Sequence, residues 1–421
     1  MKKFNEIILL IKSNKFNESL NELDQLESSD RSVFEFYYLS GICFLNLNRN
    51  NEAIKNFTKA ISLNDSNFSA YFYRGTANFK LNKLKEAKLD YKKAIYLKPN
   101  VAELYNNLAS VHYKAGENEQ AIENFNFSLN INRNLKSSIL GLLNVLSQTK
   151  NVKEDRSDLI LTHNELNKIN FYYSENKCID DLKIKELFHK INTIINKNLS
   201  NLELNTVQTY KENKFQPNCK RHHIVFNKKN IIPKFCFGCY KIQIEPDNVL
   251  DLIKLHIVFD KYKFEKNNIR KCMIELRPNI PGKYKGLIYC ESIEEAEHLN
   301  KNLLEVIKKN LNKKISYKIK RGCSEFAIKF PKYKNLKKNK MKYDNNWQIV
   351  EDAFDKENSD LTFEKKTRAT INGISLFDAL VFRNWLAFAK IIGDQTYKKV
   401  SDEIFYSKLI EKKMKIKLQQ I

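Results

Sequence analysis

Tyr37, Tyr71 and Tyr105 recur every 34 residues, and small and aromatic residues recur in step with them. Gly41, Gly75 and Ala109 lie four residues further on, followed by Ala53, Ala87 and Ala121, then Phe57, Tyr91 and Phe125, then Ala60, Ala94 and Ser128. This period predicts pairs of antiparallel helices. Two helices approach closely only where Gly or Ala thins one of them, and a bulky ring one turn away fills the groove beside it. Such a pair cannot bury its apolar face alone, so at least about three copies must stack. Three units in register speak against a chance match.

The pattern resembles the tetratricopeptide repeat, whose consensus runs aromatic, Gly, Ala, aromatic, Ala and a closing Pro. Pro99 closes the second unit, while Asp65 and Arg133 stand at that position in the other two. The resemblance covers Val33 to Asn134. Upstream, the period persists only weakly, with Ile7, Ser19, Leu23 and Leu26 at the corresponding positions, which suits a divergent first repeat. Downstream, Leu135 to Ser147 reads as an apolar helix capping the stack. The resemblance implies a concave groove lined by the first helix of each unit. Carried over by position, it gives Tyr38, Ile42, Leu45 and Asn46, then Phe72, Thr76, Phe79 and Lys80, then Asn106, Ser110, Tyr113 and Lys114. Rings with Asn and Lys suit an extended peptide, Asn satisfying its backbone and Lys80 and Lys114 its acidic groups. The set is too poor in successive Lys, Arg and Asn for a clamp on a C-terminal carboxylate.

The 421 residues are enough for two or three domains, and the net charge is +24. Residues 1–135 hold 18 Lys and Arg against 15 Asp and Glu, so nearly all the excess lies beyond the repeats. Lys, Asn and Ile are abundant throughout, so part of the Lys excess is compositional background. Arg is scarce, and Arg221, Arg270, Arg277 and Arg321 fall in one segment, where they suit either a bidentate grip on phosphate or carboxylate or plain ion pairs with nearby Glu. The N-terminal apolar run, Ile7 to Ile11, is too short for a secretory leader. Ile374 to Ile392 is strongly apolar but carries Asp378, Arg383 and Lys390, so it predicts a buried or interfacial helix in a cytoplasmic protein without a membrane span.

Four regions result: repeats with their cap (1–150), a charged helical connector (151–215), an α/β segment (216–331), and a basic linker with C-terminal helices (332–421). The alternation in the third predicts strands at Tyr240 to Glu245, Lys271 to Leu276, Gly286 to Glu291, Ile315 to Lys320 and Phe326 to Phe330. Helices are predicted at Asn248 to Tyr262 and Ile293 to Leu311, and a turn at Pro278, Pro281 and Gly282. The order βαββαβ predicts a ferredoxin-like sandwich. Within it, Lys285-Gly286-Leu287-Ile288-Tyr289 resembles the third strand of the RNA-recognition motif, where a basic residue and Gly precede base-stacking aromatics at alternate positions. Leu287 departs from that pattern and removes one stacking platform. The resemblance implies nucleic-acid contacts from Lys285 and Tyr289, to which the cationic residues Arg277 and Arg321 add. Lys337-Lys338-x-Lys340 in the linker suits phosphates or a solvated connector equally.

Cysteine supplies a competing reading. Six of the eight, Cys219, Cys236, Cys239, Cys272, Cys290 and Cys323, crowd the α/β segment. Cys219-x-x-His222, then 13 residues, then Cys236-Phe-Gly-Cys239, has the short pair spacing that presents four ligands to zinc, with Gly238 permitting a tight knuckle. Against it, a strand beginning at Phe235 puts Cys236 and Cys239 on opposite faces, and Cys is also an ordinary buried hydrophobe. No Gly-rich phosphate loop, Gly-x-Ser-x-Gly elbow or His-Glu-x-x-His is present. Cys323 beside Arg321 is the one run suited to an activated thiolate. Trp347 and Trp385 predict that the final helices pack rather than dangle. Three functional classes therefore stay open: a protein-binding scaffold, an RNA-binding adaptor, and a zinc- or thiol-dependent enzyme.

Overall fold

The computed structural model describes residues 2–26, 30–150, 152–153, 157–199, 202–211, 218–277, 280–311, 315–336, 341–358, 361–362 and 369–419. The chain divides into two compact units, Met1–Val145 with Asn358–Thr367, and Leu146–Glu357 with Arg368–Ile421.

The first unit is helical. α1 (Lys2–Lys12) pairs with α2 (Phe16–Asp24), α3 (Phe34–Asn46) with α4 (Asn50–Leu63), α5 (Phe68–Lys80) with α6 (Leu84–Leu97) and α7 (Ala102–Ala115) with α8 (Asn118–Ile131), and α9 (Lys136–Leu146) follows. One residue in each turn takes the left-handed conformation: Asn14, Asn48 and Asn82 at φ 60°, and Gly116 at φ 79°. The next amide in each case donates to the carbonyl five residues back, Lys15 to Leu10, Arg49 to Phe44, Lys83 to Asn78 and Glu117 to His112, at 2.8–2.9 Å. Asn and Gly are the residues that accept this conformation most cheaply. The α1–α2 pair therefore repeats the turn of the other three, although its core positions had lost the small-and-aromatic pattern.

Phe57, Tyr91 and Phe125 are fully buried, each contributing about 1.5–3 kcal/mol by leaving water. A methyl placed on Gly41 would come within 2.7 Å of the Phe57 ring, and one on Gly75 within 3.1 Å of Tyr91 and Asp90. Ser128 keeps the small-residue position of its unit while staying polar: its hydroxyl donates to the Ala102 carbonyl at 2.8 Å and meets the Ser138 hydroxyl at 2.7 Å. That second contact fastens α9 onto α8.

The second unit continues with α10 (Asp158–Asn167), α11 (Asp181–Leu199), β1 (Gln208–Lys211), α12 (Cys219–Lys229), α13 (Lys234–Gly238), β2 (Tyr240–Glu245), α14 (Val249–Lys261), β3 (Arg270–Ile274) and β4 (Tyr284–Cys290). Then come α15 (Ile293–Asn310), β5 (Ser316–Arg321), α16 (Asn346–Glu357), α17 (Leu376–Ile391) and α18 (Lys408–Leu418). The strands form one sheet in the order β1-β3-β4-β2-β5, with every neighbouring pair antiparallel. α14 and α15 pack on one face. A Cβ on Gly286 would overlap the Leu255 side chain of α14, so this glycine of the Lys-Gly pair answers to helix packing.

Two elements differ from expectation. β1 lies inside the stretch read as a purely helical connector, because α17, far along the chain, fixes the approach to it. The Trp385 indole donates to the Val207 carbonyl at 2.8 Å, and the Asn384 amide donates to the carbonyls of Leu204 and Thr206 at 2.8 Å. The strand expected at Phe326 to Phe330 is instead a 3₁₀ turn, Ser324–Ile328. Its apolar alternation serves Phe326, which stacks at 4.3 Å on Phe226.

α17 is the buried helix expected there. Its N-terminus carries a capping box between Ser375 and Asp378. Beside the cap, buried Lys211 donates to the Gly373 carbonyl at 2.7 Å and pairs with Asp260 at 3.0 Å and Asp378 at 3.5 Å. The two carboxylates raise the Lys211 pKa against the opposing effect of burial, and Lys211 holds Asp260 below the usual carboxylate range although burial opposes it. His256 sits in the same core, with Thr209 at 3.0 Å from its Nδ1 and the Phe382 ring edge-on at 4.9 Å; burial pushes it down to about 4. No helix among the described residues is long and apolar enough to cross a membrane.

Candidate functional site

Successive first helices α3, α5 and α7 put residues 34 apart on equivalent surfaces. Tyr38, Phe72 and Asn106 are half-buried, as are Phe79 and Tyr113 one helical stretch later, whereas Leu45, the counterpart of these two, is buried in the core. Tyr38 stacks on Phe34 at 5.2 Å and lies 6.0 Å from Tyr73 of the next unit; burial pushes its phenol up to about 12. Phe72 meets Tyr91 at 6.0 Å. At the far end of each helix, Asn46 donates to its own helix at Ile42, and Lys80 reaches back to the Leu45 carbonyl at 3.2 Å. The Lys114 ammonium lies 5.0 Å from the Phe79 ring centre, a cation–π contact between adjacent units. Asn106 accepts from the Ser138 hydroxyl at 3.0 Å and donates to Asn107 at 3.0 Å. The row is thus preordered by contacts between units, which lowers the entropy lost when an extended chain settles on it.

The four scarce arginines have intramolecular partners. Arg221 forks onto Asp355 at 2.7 and 2.8 Å and also pairs with Glu351 at 2.9 Å, joining α12 to α16. Arg270 donates to the Asn268 carbonyl and stacks 4.4 Å from Phe264. Arg277 forks onto Glu275 at 2.8 and 2.7 Å, and the buried Lys285 ammonium reaches the same carboxylate at 2.8 Å. Arg321, expected to add to nucleic-acid contacts, is buried and donates to the Phe237 carbonyl, the Tyr240 hydroxyl and the Tyr333 carbonyl. The strand register places Lys285, Leu287 and Tyr289 of β4 on the sheet face away from Gly286 and α14, together with Lys241 of β2 and Lys271 of β3. Lys337-Lys338-x-Lys340 lies outside the described residues.

The thiols come together differently from the pairwise spacing. Cys236 is on the short helix α13 and Cys239 precedes β2, so the strand begins only at Tyr240 and the objection from alternating faces lapses. Cys219, at the start of α12, lies against Cys323 and His222, and Cys323 lies against both Cys219 and Cys236. A Cβ on Gly322 would overlap the Cys239 sulfur, so Gly322 leaves space for that thiol. Cys323 is the member that spacing alone did not supply, because β5 brings it from more than eighty residues away. His222 is buried with its ring stacked 5.1 Å from Phe235, and His223 faces Glu325 at 3.7 Å. Among the described residues, no three His, Cys, Asp or Glu side chains are placed to hold a metal ion. Cys323 is the thiol expected beside Arg321. Contact with Cys219 lowers its pKa, but Cys236 and burial outweigh that and push it up, while the Arg321 guanidinium is spent on carbonyls and a phenol. Burial likewise pushes Cys239 up to about 12.

The family models match within the first unit alone. The tetratricopeptide repeat family model matches residues 34–67 and 102–135, and a second TPR repeat model matches residues 75–116. No curated protein sequence matches the chain. Similar solved structures include that of MamA, 21% identical over 32% of this chain and 80% of that one, with a TM-score of 0.31. The first TPR of Spaghetti (RPAP3), bound to the HSP90 peptide SRMEEVD, is 20% identical over 27% of this chain and 89% of that one, with a TM-score of 0.26. YrrB, a TPR protein with an unusual peptide-binding site, is 18% identical over 46% of this chain and 85% of that one, with a TM-score of 0.33.

Proposed function

We propose that the tetratricopeptide repeats in residues 34–135 make this protein a scaffold that holds a partner protein through an extended peptide segment. The observation carrying this reading is the half-exposed row on α3, α5 and α7: Tyr38, Phe72 and Asn106, then Phe79 and Tyr113, then Asn46, Lys80 and Lys114. Rings supply contact area at small entropic cost, side-chain amides match a peptide backbone, and the lysines favour a segment with acidic side chains. The strand order β5-β2-β4-β3 with α14 and α15 on one face supports reading that part of the second unit as a ferredoxin-like sandwich, appended to the scaffold.

The test is selection of peptides from a displayed library on the full chain, followed by measured affinities. Phe79→Ala combined with Lys114→Glu is expected to weaken a selected acidic peptide by about tenfold or more, since central aromatic anchors typically carry upwards of about 1 kcal/mol each. Failure to select any peptide that depends on this row would sink the reading.

A further inference from the structure

A cavity of about 850 Å³ lies within the second unit, over the sheet face that carries Lys241, Lys271, Leu287 and Tyr289. α18 contributes Ile410, Lys413 and Ile416 to its lining. This helix is tied down: the Lys417 ammonium donates to the carbonyls of Ile280 at 2.6 Å and Arg277 at 3.1 Å, and Ile410 and Met414 are buried. α18 therefore walls one side of this face and makes it a partly open chamber.

The charges in this chamber are unbalanced. Glu275 is already matched by Arg277 and Lys285, which leaves Glu325, 3.7 Å from His223, as one carboxylate against Lys241, Lys271 and Lys413. Lys241 and Lys271 form no ion pair among the described residues. The Lys241 ammonium donates only to the Gly322 carbonyl, at 2.7 Å, and Lys271 lies 5.5 Å from the Tyr289 ring and 6.0 Å from that of Tyr210. In the sheet register Lys241 stands opposite Tyr289 and Lys271 opposite Leu287, so the two cations flank the ring from neighbouring strands. Burial holds both below the usual lysine range; Lys271 adds to the lowering of Lys241 and Arg277 to that of Lys271, while Glu325 works the other way on both. Two half-buried ammonium groups with no carboxylate in ion-pair range, and a third cation, Lys413, in the same lining, make the chamber favourable to an anion.

We propose that this chamber binds a small molecule carrying a phosphate or carboxylate group on an apolar or aromatic body, the oxyanion meeting Lys241 and Lys271 and the body resting on Tyr210, Leu287 and Tyr289. The volume lies within the range of small-molecule sites, and the lining joins apolar walls to a few convergent polar groups. Lysines bind such anions as point charges and do not demand a planar fork, so phosphate and carboxylate share the chemistry. This site is independent of the repeat groove and stands or falls without it.

Calorimetric titration of the full chain with phenyl phosphate, benzoate and phenol tests the assignment. At least one of the two anions is expected to saturate at millimolar concentration with one site, phenol binding about tenfold more weakly or worse. The tighter of phenyl phosphate and benzoate identifies the anion. Lys241→Met with Lys271→Met, folded by circular dichroism, is expected to weaken that binding by about tenfold or more. A second readout uses the unaltered protein: the bound anion should slow acetylation of Lys241 and Lys271 by acetic anhydride and leave exposed Lys263 unaffected. Failure of both anions to saturate, or undiminished binding by the folded double variant, or unchanged acetylation overturns the proposal. So does a single-stranded oligouridylate that binds through these lysines while both small anions fail, since that result assigns the face to nucleic acid.

Discussion

The two units solve the same problem, closing an apolar core, with partners at opposite sequence distances. In the repeat array Phe57 fills the space beside Gly41 and Tyr91 that beside Gly75, sixteen residues away each time. In the sheet unit Lys211 closes on Asp378, 167 residues away, and α17 fixes the approach to β1 from 178 residues away. The first arrangement is modular and tolerant; the second is a single assembly that fails as one.

The largest test of that contrast is Lys211→Met. Removing the cation leaves Asp260 and Asp378 buried and uncompensated, which costs about 3–5 kcal/mol. Denaturant unfolding should show the tryptophan signal of Trp347 and Trp385, both in the sheet unit, moving to lower denaturant, while the repeat helices melt unchanged. A shift shared equally by both units would abolish the distinction.

Acid should separate the units next. His256 titrates near 4 in the fold and near 6.5 when unfolded, so the unfolded chain binds the extra proton between those values. Stability is fully retained above about 6.5 and falls as pH drops toward 4, by about 3 kcal/mol. Asp260, depressed by Lys211, acts in the same direction, its contribution vanishing as pH falls through its lowered pKa. Thermal melts from pH 7 to 4.5 should lower the tryptophan transition more than the helical signal of the array, where burial also lowers His112 but Glu117 opposes it. Parallel loss in both signals would count against the assignment.

The smallest effect probes the array itself. Ala replaces Gly in a helix with a gain of about 1 kcal/mol where space allows. At Gly41 the new methyl meets Phe57 at 2.7 Å, so overpacking should win and Gly41→Ala should lower stability by about 1 kcal/mol. At Gly75 the nearest atoms are 3.1 Å away, and Gly75→Ala should come out close to neutral. Equal penalties at both sites would show that the two glycines are packed alike, against their different clearances.

Sequence legibility follows the same division. Three helix pairs were readable because each repeats its own contact at a fixed distance, and the first pair was blurred because Ile7 and Leu23 replace the small residue and the ring. The signal that recovers it was present: Asn14-Lys15, Asn48-Arg49, Asn82-Lys83 and Gly116-Glu117 mark one turn four times. In the second unit the alternation around Tyr240, Lys271 and Gly286 located β2, β3 and β4. The four-residue β1 is too short to announce itself, and Phe326 to Phe330 alternates for the sake of an aromatic stack. The zinc spacing paired Cys219 with His222, and packing sets Cys219 beside both His222 and the distant Cys323. Neither the Lys211 cluster nor the lysine chamber was legible, since both gather residues from strands and helices that only the completed sheet brings together.

The separation between Lys211 and Asp378 also has a consequence on the ribosome. Synthesis proceeds from the N-terminus, and domains fold as they emerge. Each helix pair of the array finds its packing partner within one 34-residue stretch and can settle while the rest is still being made. Lys211 finds Asp260 after about fifty residues but must wait for Asp378 until α17 has left the exit tunnel. During that interval the nascent chain carries a finished helical array and an unfinished sheet whose apolar strands are exposed, and it is this second stretch that a chaperone would have to shelter.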